Sequence, residues 1–185
     1  MSVSKRKGFT LVELLIVIVV IGILSAMMMF SSTEAATSAK ANNIIANLRN
    51  WKTATLAWYT DNLDKVESGK KDGWKTTFSH FADFVKPTDI IPYLNGNFKT
   101  SGFNHDVKYG GGFVQDASGL IYFTDHNNDK GNKVWLIGCE FPNNDRIKDK
   151  LESRALSAGL IAKDGTAYKK TSDHVVFIKV ADFNN

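Results

Sequence analysis

The 185-residue chain has one cysteine, three prolines and, between Phe9 and Phe30, one charged side chain. Each shortage excludes something. A single cysteine cannot build an internal disulfide framework or a cysteine-cluster zinc site. The four histidines, His80, His105, His126 and His174, are scattered without the spacing of a zinc site. No serine or threonine sits in a nucleophile elbow. Gly110-Gly111-Gly112 lacks the Gly-Lys-Ser/Thr that would complete a phosphate loop. Hydrophobic residues make up 43% of the chain and charged residues 23%, which is neither a disordered nor a collagen-like composition.

What the chain does have is concentrated at its start. Residues Phe9 to Phe30 form a run of 22, nearly all Leu, Ile, Val, Met, Phe or small residues, with Glu13 the exception. As a helix the run measures roughly 33 Å, enough to cross a hydrocarbon core of about 30 Å. Lys5, Arg6 and Lys7 stand just before it and would remain cytoplasmic. Removing those three from the 23 basic residues leaves 20 against 19 acidic ones. The net charge of +4 therefore belongs to the leader, and a nucleic-acid-binding surface is not expected.

Three readings of this segment compete. A secretory signal has a shorter apolar core and is cut after it at a small-residue site, for which Ser25-Ala26 is a poor match. An uncut anchor fits the length but leaves Glu13 unexplained. A carboxylate in hydrocarbon costs on the order of 2.5–3.5 kcal/mol, and such a residue marks function by default or snorkels to the membrane face.

The third reading rests on Lys5-Arg6-Lys7-Gly8-Phe9-Thr10-Leu11-Val12-Glu13-Leu14-Leu15. A short basic leader ends in glycine, phenylalanine follows, and glutamate takes the fifth place beyond that junction. The segment resembles the class III signal of type IV prepilins and type II secretion pseudopilins. Gly22 also sits where many of those proteins have glycine. The resemblance covers about the first 30 residues and is only architectural beyond them.

The resemblance implies cleavage between Gly8 and Phe9 by a membrane prepilin peptidase and N-methylation of Phe9. It also implies assembly through the retained helix, with Glu13 fixing the stagger between subunits. The partners so implied are further copies of the chain, other pilin-like subunits, the peptidase, an inner-membrane platform and its ATPase. The chain would span the inner membrane once, with its C-terminal head on the far side.

The expected fold is α+β. Thr33 to Asp64 contains neither proline nor glycine. Within it Ile44, Ile45, Leu48, Trp51, Thr55 and Trp58 recur at helical spacing. One helix from about Phe9 to Asp64 is predicted, roughly 84 Å long. Its first half (9–30) would be apolar and its second (31–64) amphipathic. Ser31 with Glu34 three residues on is a capping-box pattern where the helix could restart. Related chains often carry proline near here; this one has Phe30 and no proline before Pro87.

Residues 65–185 would form a globular head on that helix. The segment 65–118 is glycine-rich and reads as a connecting loop, with short pieces near 76–85 and at Ile90–Leu94. In 119–185, Leu120–Thr124 and Lys133–Gly138 read as a hairpin. Asn144 or Asp145 would cap a helix through Ala158, ended by Gly159. Gly165 marks a turn, and His174–Ala181 is a final strand. The product is a small antiparallel sheet packed on the long helix. Cys139 reads as a small core residue, and the Lys70-Lys71 and Lys169-Lys170 pairs as surface.

One loop has a second reading. Asp125-His126-Asn127-Asn128-Asp129-Lys130-Gly131-Asn132 offers oxygens at Asp125, Asn127 and Asp129, which suits Ca²⁺. Its glycine is seventh where an EF-hand has it sixth, and no acceptor matches the closing glutamate. Major pseudopilins bind Ca²⁺ in the head, but their proline-containing head motif is absent here. The same residues make an ordinary polar turn. No other cofactor is expected, nor any catalytic residue. The alternative is a binding or adhesion module, filament-borne or membrane-anchored, that calcium could serve.

Overall fold

The computed structural model of the chain describes residues 8–63, 85, 87–94, 99–100, 113–116, 119–127 and 133–183. The expected short piece near 76–85 lies outside these residues, Val85 apart. The layout is α+β and pilin-like, a long N-terminal helix followed by an antiparallel sheet. Helix α1 runs Leu11–Asp61, helix α2 Pro87–Ile90 and helix α3 Asp145–Ala158. A 3₁₀ turn, Ile91–Tyr93, follows α2 within the piece expected at Ile90–Leu94.

The chain divides into two compact units, Met1–Ser38 and Ala39–Asn185. In the first, α1 continues through Ser31–Glu34 without a restart. A capping box needs an N-cap residue outside helical geometry. Here the methionines before it and the alanines after it favour helix on both sides. Nearby, the Thr37 hydroxyl donates to the Thr33 carbonyl at 2.8 Å, a bond made inside the continuous helix.

The second unit is built on a six-stranded antiparallel sheet. Its strands are β1 (Lys99–Thr100), β2 (Phe113–Asp116), β3 (Gly119–Asn127), β4 (Lys133–Glu140), β5 (Leu160–Ile161) and β6 (Val175–Phe183). The spatial order is β1-β2-β3-β4-β6-β5, and β2, β3, β4 and β6 are the four strands longer than two residues. Strands β1 and β2 fall in the segment that reads as a loop from sequence. They are short, and β2 owes its place to pairing with β3, Phe113 opposite Tyr122 and Asp116 opposite Gly119. Such partners are invisible to a local pattern.

Alternation along the strands sorts side chains onto two faces. Ile121, Phe123, Trp135, Ile137, Cys139, Val176, Ile178 and Val180 join one core with Ala41, Ile44, Ile45, Leu48, Trp51 and Ala54 of α1. Thr55 is also fully buried, its hydroxyl satisfied by the Trp51 carbonyl at 2.8 Å. The expected stripe on α1 is thus the face that meets the sheet. Ile147, Leu151, Ala155 and Ala158 of α3 close the same core. Val134, Leu136, Val175 and Phe177 form a second cluster, with Ile161 beside it. Between Trp135 and Leu136 the register with β6 shifts, so Val180 is the extra residue of a bulge.

The ends of α3 match the sequence reading. Asn144 Oδ1 accepts from the backbone N–H groups of Arg146 and Ile147 at 2.9 and 3.3 Å. Gly159 adopts φ 69°, the left-handed cap that glycine takes without steric cost. Near the end of α1, the Tyr93 hydroxyl bonds Asp61, which pushes the phenol's pKa up.

Candidate functional site at the start of the apolar helix

Gly8, Phe9 and Thr10 are exposed and non-helical, and α1 begins at Leu11. The boundary has a local cause. Thr10 is the N-cap and Glu13 the third helical residue, and the two side chains exchange bonds. The Thr10 backbone N–H and hydroxyl each donate to Glu13 Oε2 at 2.8 Å, and the Glu13 N–H donates to Thr10 Oγ1 at 3.2 Å. This is a capping box, which satisfies otherwise orphaned donors of the first turn. Reading the sequence for this pattern at Ser31–Glu34 overlooks the same spacing at Thr10–Glu13, where the apolar run begins and the signal was available.

The box stops the helix two residues past the Gly8–Phe9 bond, leaving that bond in irregular backbone. A peptidase that binds extended chain can reach it without unwinding helix. An added side chain on Gly8 would meet nothing within 4 Å.

From Leu11 to Met29 the large apolar side chains are exposed. Their exposure runs from 45% at Val17 to 81% at Leu11. A surface this apolar and this exposed is unstable in water and calls for lipid or other protein. The helix is long and apolar enough to cross a membrane. Gly22 lies within this stretch, and nothing approaches the position of its missing side chain within 4 Å.

The loop residues considered for calcium are placed differently from the sequence reading. Strand β3 does not end at Thr124 but continues to Asn127, so Asp125 pairs opposite Trp135 and Asn127 opposite Lys133. The connection between β3 and β4 narrows to residues 128–132, which include Asp129 and lie outside the described residues. Among the described residues no three His, Cys, Asp or Glu side chains cluster as a metal site. The head does hold one polar cluster that sequence patterns missed. Glu140 accepts from the Tyr122 hydroxyl and pairs with His174 Nε2 at 3.0 Å, clasping β3, β4 and the approach to β6. Cys139 is fully buried, as expected of a core thiol.

Residues 3–29 match the family model of the prokaryotic N-terminal methylation motif. No curated protein and no solved structure matches the chain. The chain thus carries the prepilin-type signal of type IV pilins and pseudopilins, a family of structural subunits. Its apolar helix is consistent with an inner-membrane anchor.

Proposed function

We propose that the chain is the precursor of a structural subunit in a type IV pilus-like or type II secretion pseudopilus filament. The observation that carries this reading is the match at residues 3–29, coinciding with an exposed apolar helix that starts just after Gly8–Phe9. A prepilin peptidase hydrolyses the Gly8–Phe9 amide, leaving a carboxylate on Gly8 and an amine on Phe9, which is then methylated. The helix stays in the inner membrane, with the head beyond it, until a platform and ATPase draw the subunit into the filament. There the apolar side chains exchange lipid for neighbouring copies or other pilin-like subunits. Glu13 meets the amine of an adjacent copy and sets the stagger; in low dielectric that attraction is strong, and desolvation offsets much of it. The segments 1–8, 9–30, 31–64 and 65–185 serve as leader, filament core, stem and head.

The test is the intact mass of the N-terminal peptide from cells with and without a prepilin peptidase. A chain beginning at N-methyl-Phe9 only when the enzyme is present supports the proposal. A chain beginning at Met1 or Ser2 in both overturns it and moves the anchored binding module forward. Calcium binding through Asp125, Asn127 and Asp129 belongs to that alternative. A rise in the melting temperature with Ca²⁺ over EDTA, lost in Asp125→Asn, supports it; equal melting points exclude it.

A further inference from the structure

Met27, Met28 and Met29 stand in a row where the apolar run ends. The chain has four methionines, and the fourth, Met1, lies in the leader. The three are 65%, 76% and 74% exposed, against 45–64% for the large apolar residues from Val12 to Leu24. Cys139, the remaining sulfur, is wholly buried. Along the helix axis the three lie about 24–27 Å from Leu11, near the far limit of a hydrocarbon core about 30 Å thick. Polar residues follow almost at once, in Ser31-Ser32-Thr33-Glu34. The sulfurs are therefore gathered at the end of the run that meets water.

We infer that Met27-Met28-Met29 is an oxidation site of the membrane-bound subunit, and that a subunit carrying the sulfoxide is kept out of the filament. The inference rests on the proposed filament reading and adds a chemical control over which subunits enter. The oxidant is a small peroxide such as hydrogen peroxide. The thioether sulfur attacks it, an S–O bond forms, the O–O bond breaks, and the second oxygen leaves as water. Sulfur loses two electrons and the peroxide gains them. A methionine sulfoxide reductase reverses the step with a dithiol: the oxygen leaves as water and the thiols join in a disulfide.

Oxidation turns a flexible apolar side chain into a polar one. In the membrane the change is tolerated, because the sulfoxides lie beside headgroups and water. The 18 residues from Phe9 to Ala26 remain apolar apart from Glu13. That length is within the range of about 17–25 that spans a bilayer. In a filament core the same groups would be buried among apolar side chains, and a buried polar group without a partner is costly. Successive helical residues turn by about 100°, so the three spread over an arc of about 200°. A helix packed on several sides cannot turn all of them away.

The test uses the full-length chain in cells with a prepilin peptidase and the assembly machinery, lacking methionine sulfoxide reductase. Existing filaments are sheared off, protein synthesis is stopped, and hydrogen peroxide is pulsed at a dose that oxidises a soluble methionine peptide. Regrown filaments and the membrane pool are then compared for sulfoxide in the peptide carrying Met27, Met28 and Met29. The sulfoxide fraction is expected to be about tenfold lower in the filaments than in the membrane pool. Equal fractions overturn exclusion from the filament. A membrane pool free of sulfoxide overturns the oxidation site, because lipid would then shield the sulfurs. Absence of filaments from untreated cells overturns the filament reading, and this inference with it.

A second chain mimics the polarity without an oxidant. Met27→Gln, Met28→Gln and Met29→Gln combined should stay in the membrane pellet, be cut after Gly8, and fall at least about tenfold in filament fraction. Parental filament yield from that chain overturns the inference and leaves the filament reading standing. Its loss from the membrane pellet also overturns the inference, because the shortened run would then fail as an anchor.

Discussion

The ring of Trp51 on α1 meets that of Phe123 on β3 edge to face, with centroids 5.9 Å apart and planes at 70°. Both side chains are almost wholly buried, and this contact lies where helix and sheet share one core. Edge-to-face pairs add about 0.5–1.5 kcal/mol to the apolar area they bury. Trp51→Ala should therefore destabilise the head by roughly 3–5 kcal/mol. Urea unfolding of the detergent-solubilised chain, followed by the far-ultraviolet signal of the sheet, checks this. A loss under 1 kcal/mol would show that the helix is not seated on the sheet at this point.

Gly138 is required by a neighbour, not by its own backbone angles. A methyl group there would stand 2.5 Å from Cε1 of Phe177, whose ring is itself buried. Gly138→Ala should cost about 1–3 kcal/mol through overpacking. Combining it with Phe177→Leu should cost less than the sum of the two single changes, because the smaller side chain vacates the contested space. Strict additivity in the double-mutant cycle would refute the contact.

Tyr168 gives the head an alkaline limit. Burial, followed by the charges of Glu152 and Asp173, pushes its phenol well above the ordinary 10.0. The folded state thus keeps the proton after the unfolded chain has released it. The resulting stabilisation is full below pH 10 and is lost as pH rises beyond it. Tyr168→Phe should flatten stability against pH between about 10 and 12 relative to the parent. Parallel curves for the two proteins would show that the phenol titrates normally.

The apolar segment predicts a sharp response to charge. Ile18 is 60% exposed near the middle of the run. Ile18→Arg should cost about 2.5–3.5 kcal/mol in membrane insertion. The chain should then shift from the carbonate-resistant membrane pellet to the soluble or aggregated fraction. An undiminished pellet would mean that the segment does not meet hydrocarbon at this depth.

Much of this protein was legible in residue order because the physics concerned is local. An uninterrupted apolar run, a basic leader ending in Gly8 with Phe9 after it and a glutamate at fixed spacing depend on neighbours within a turn or two. So do the Asn144 cap and the Gly159 stop, and the structure places both as the sequence reading expects. The helix stripe from Ile44 to Trp58 was readable for the same reason, since helical periodicity states which face is buried before anything covers it. The box between Thr10 and Glu13 was equally local. Its threonine and glutamate stand three residues apart where the apolar run begins.

Tertiary structure decided what depended on distant partners. Strands β1 and β2 exist through pairing with β3, and β3 extends to Asn127 because β4 is there to receive it. The clasp of Tyr122, His174 and Glu140 joins residues 18 and 34 positions apart, a closeness no spacing rule contains. The sequence alone determined that this chain carries an apolar helix behind a short basic segment, within a prepilin-type motif. Which residues gather around Trp51, and how far the sheet reaches, had to wait for chain segments to meet, because sheet pairing and core packing are set by contacts made across the fold.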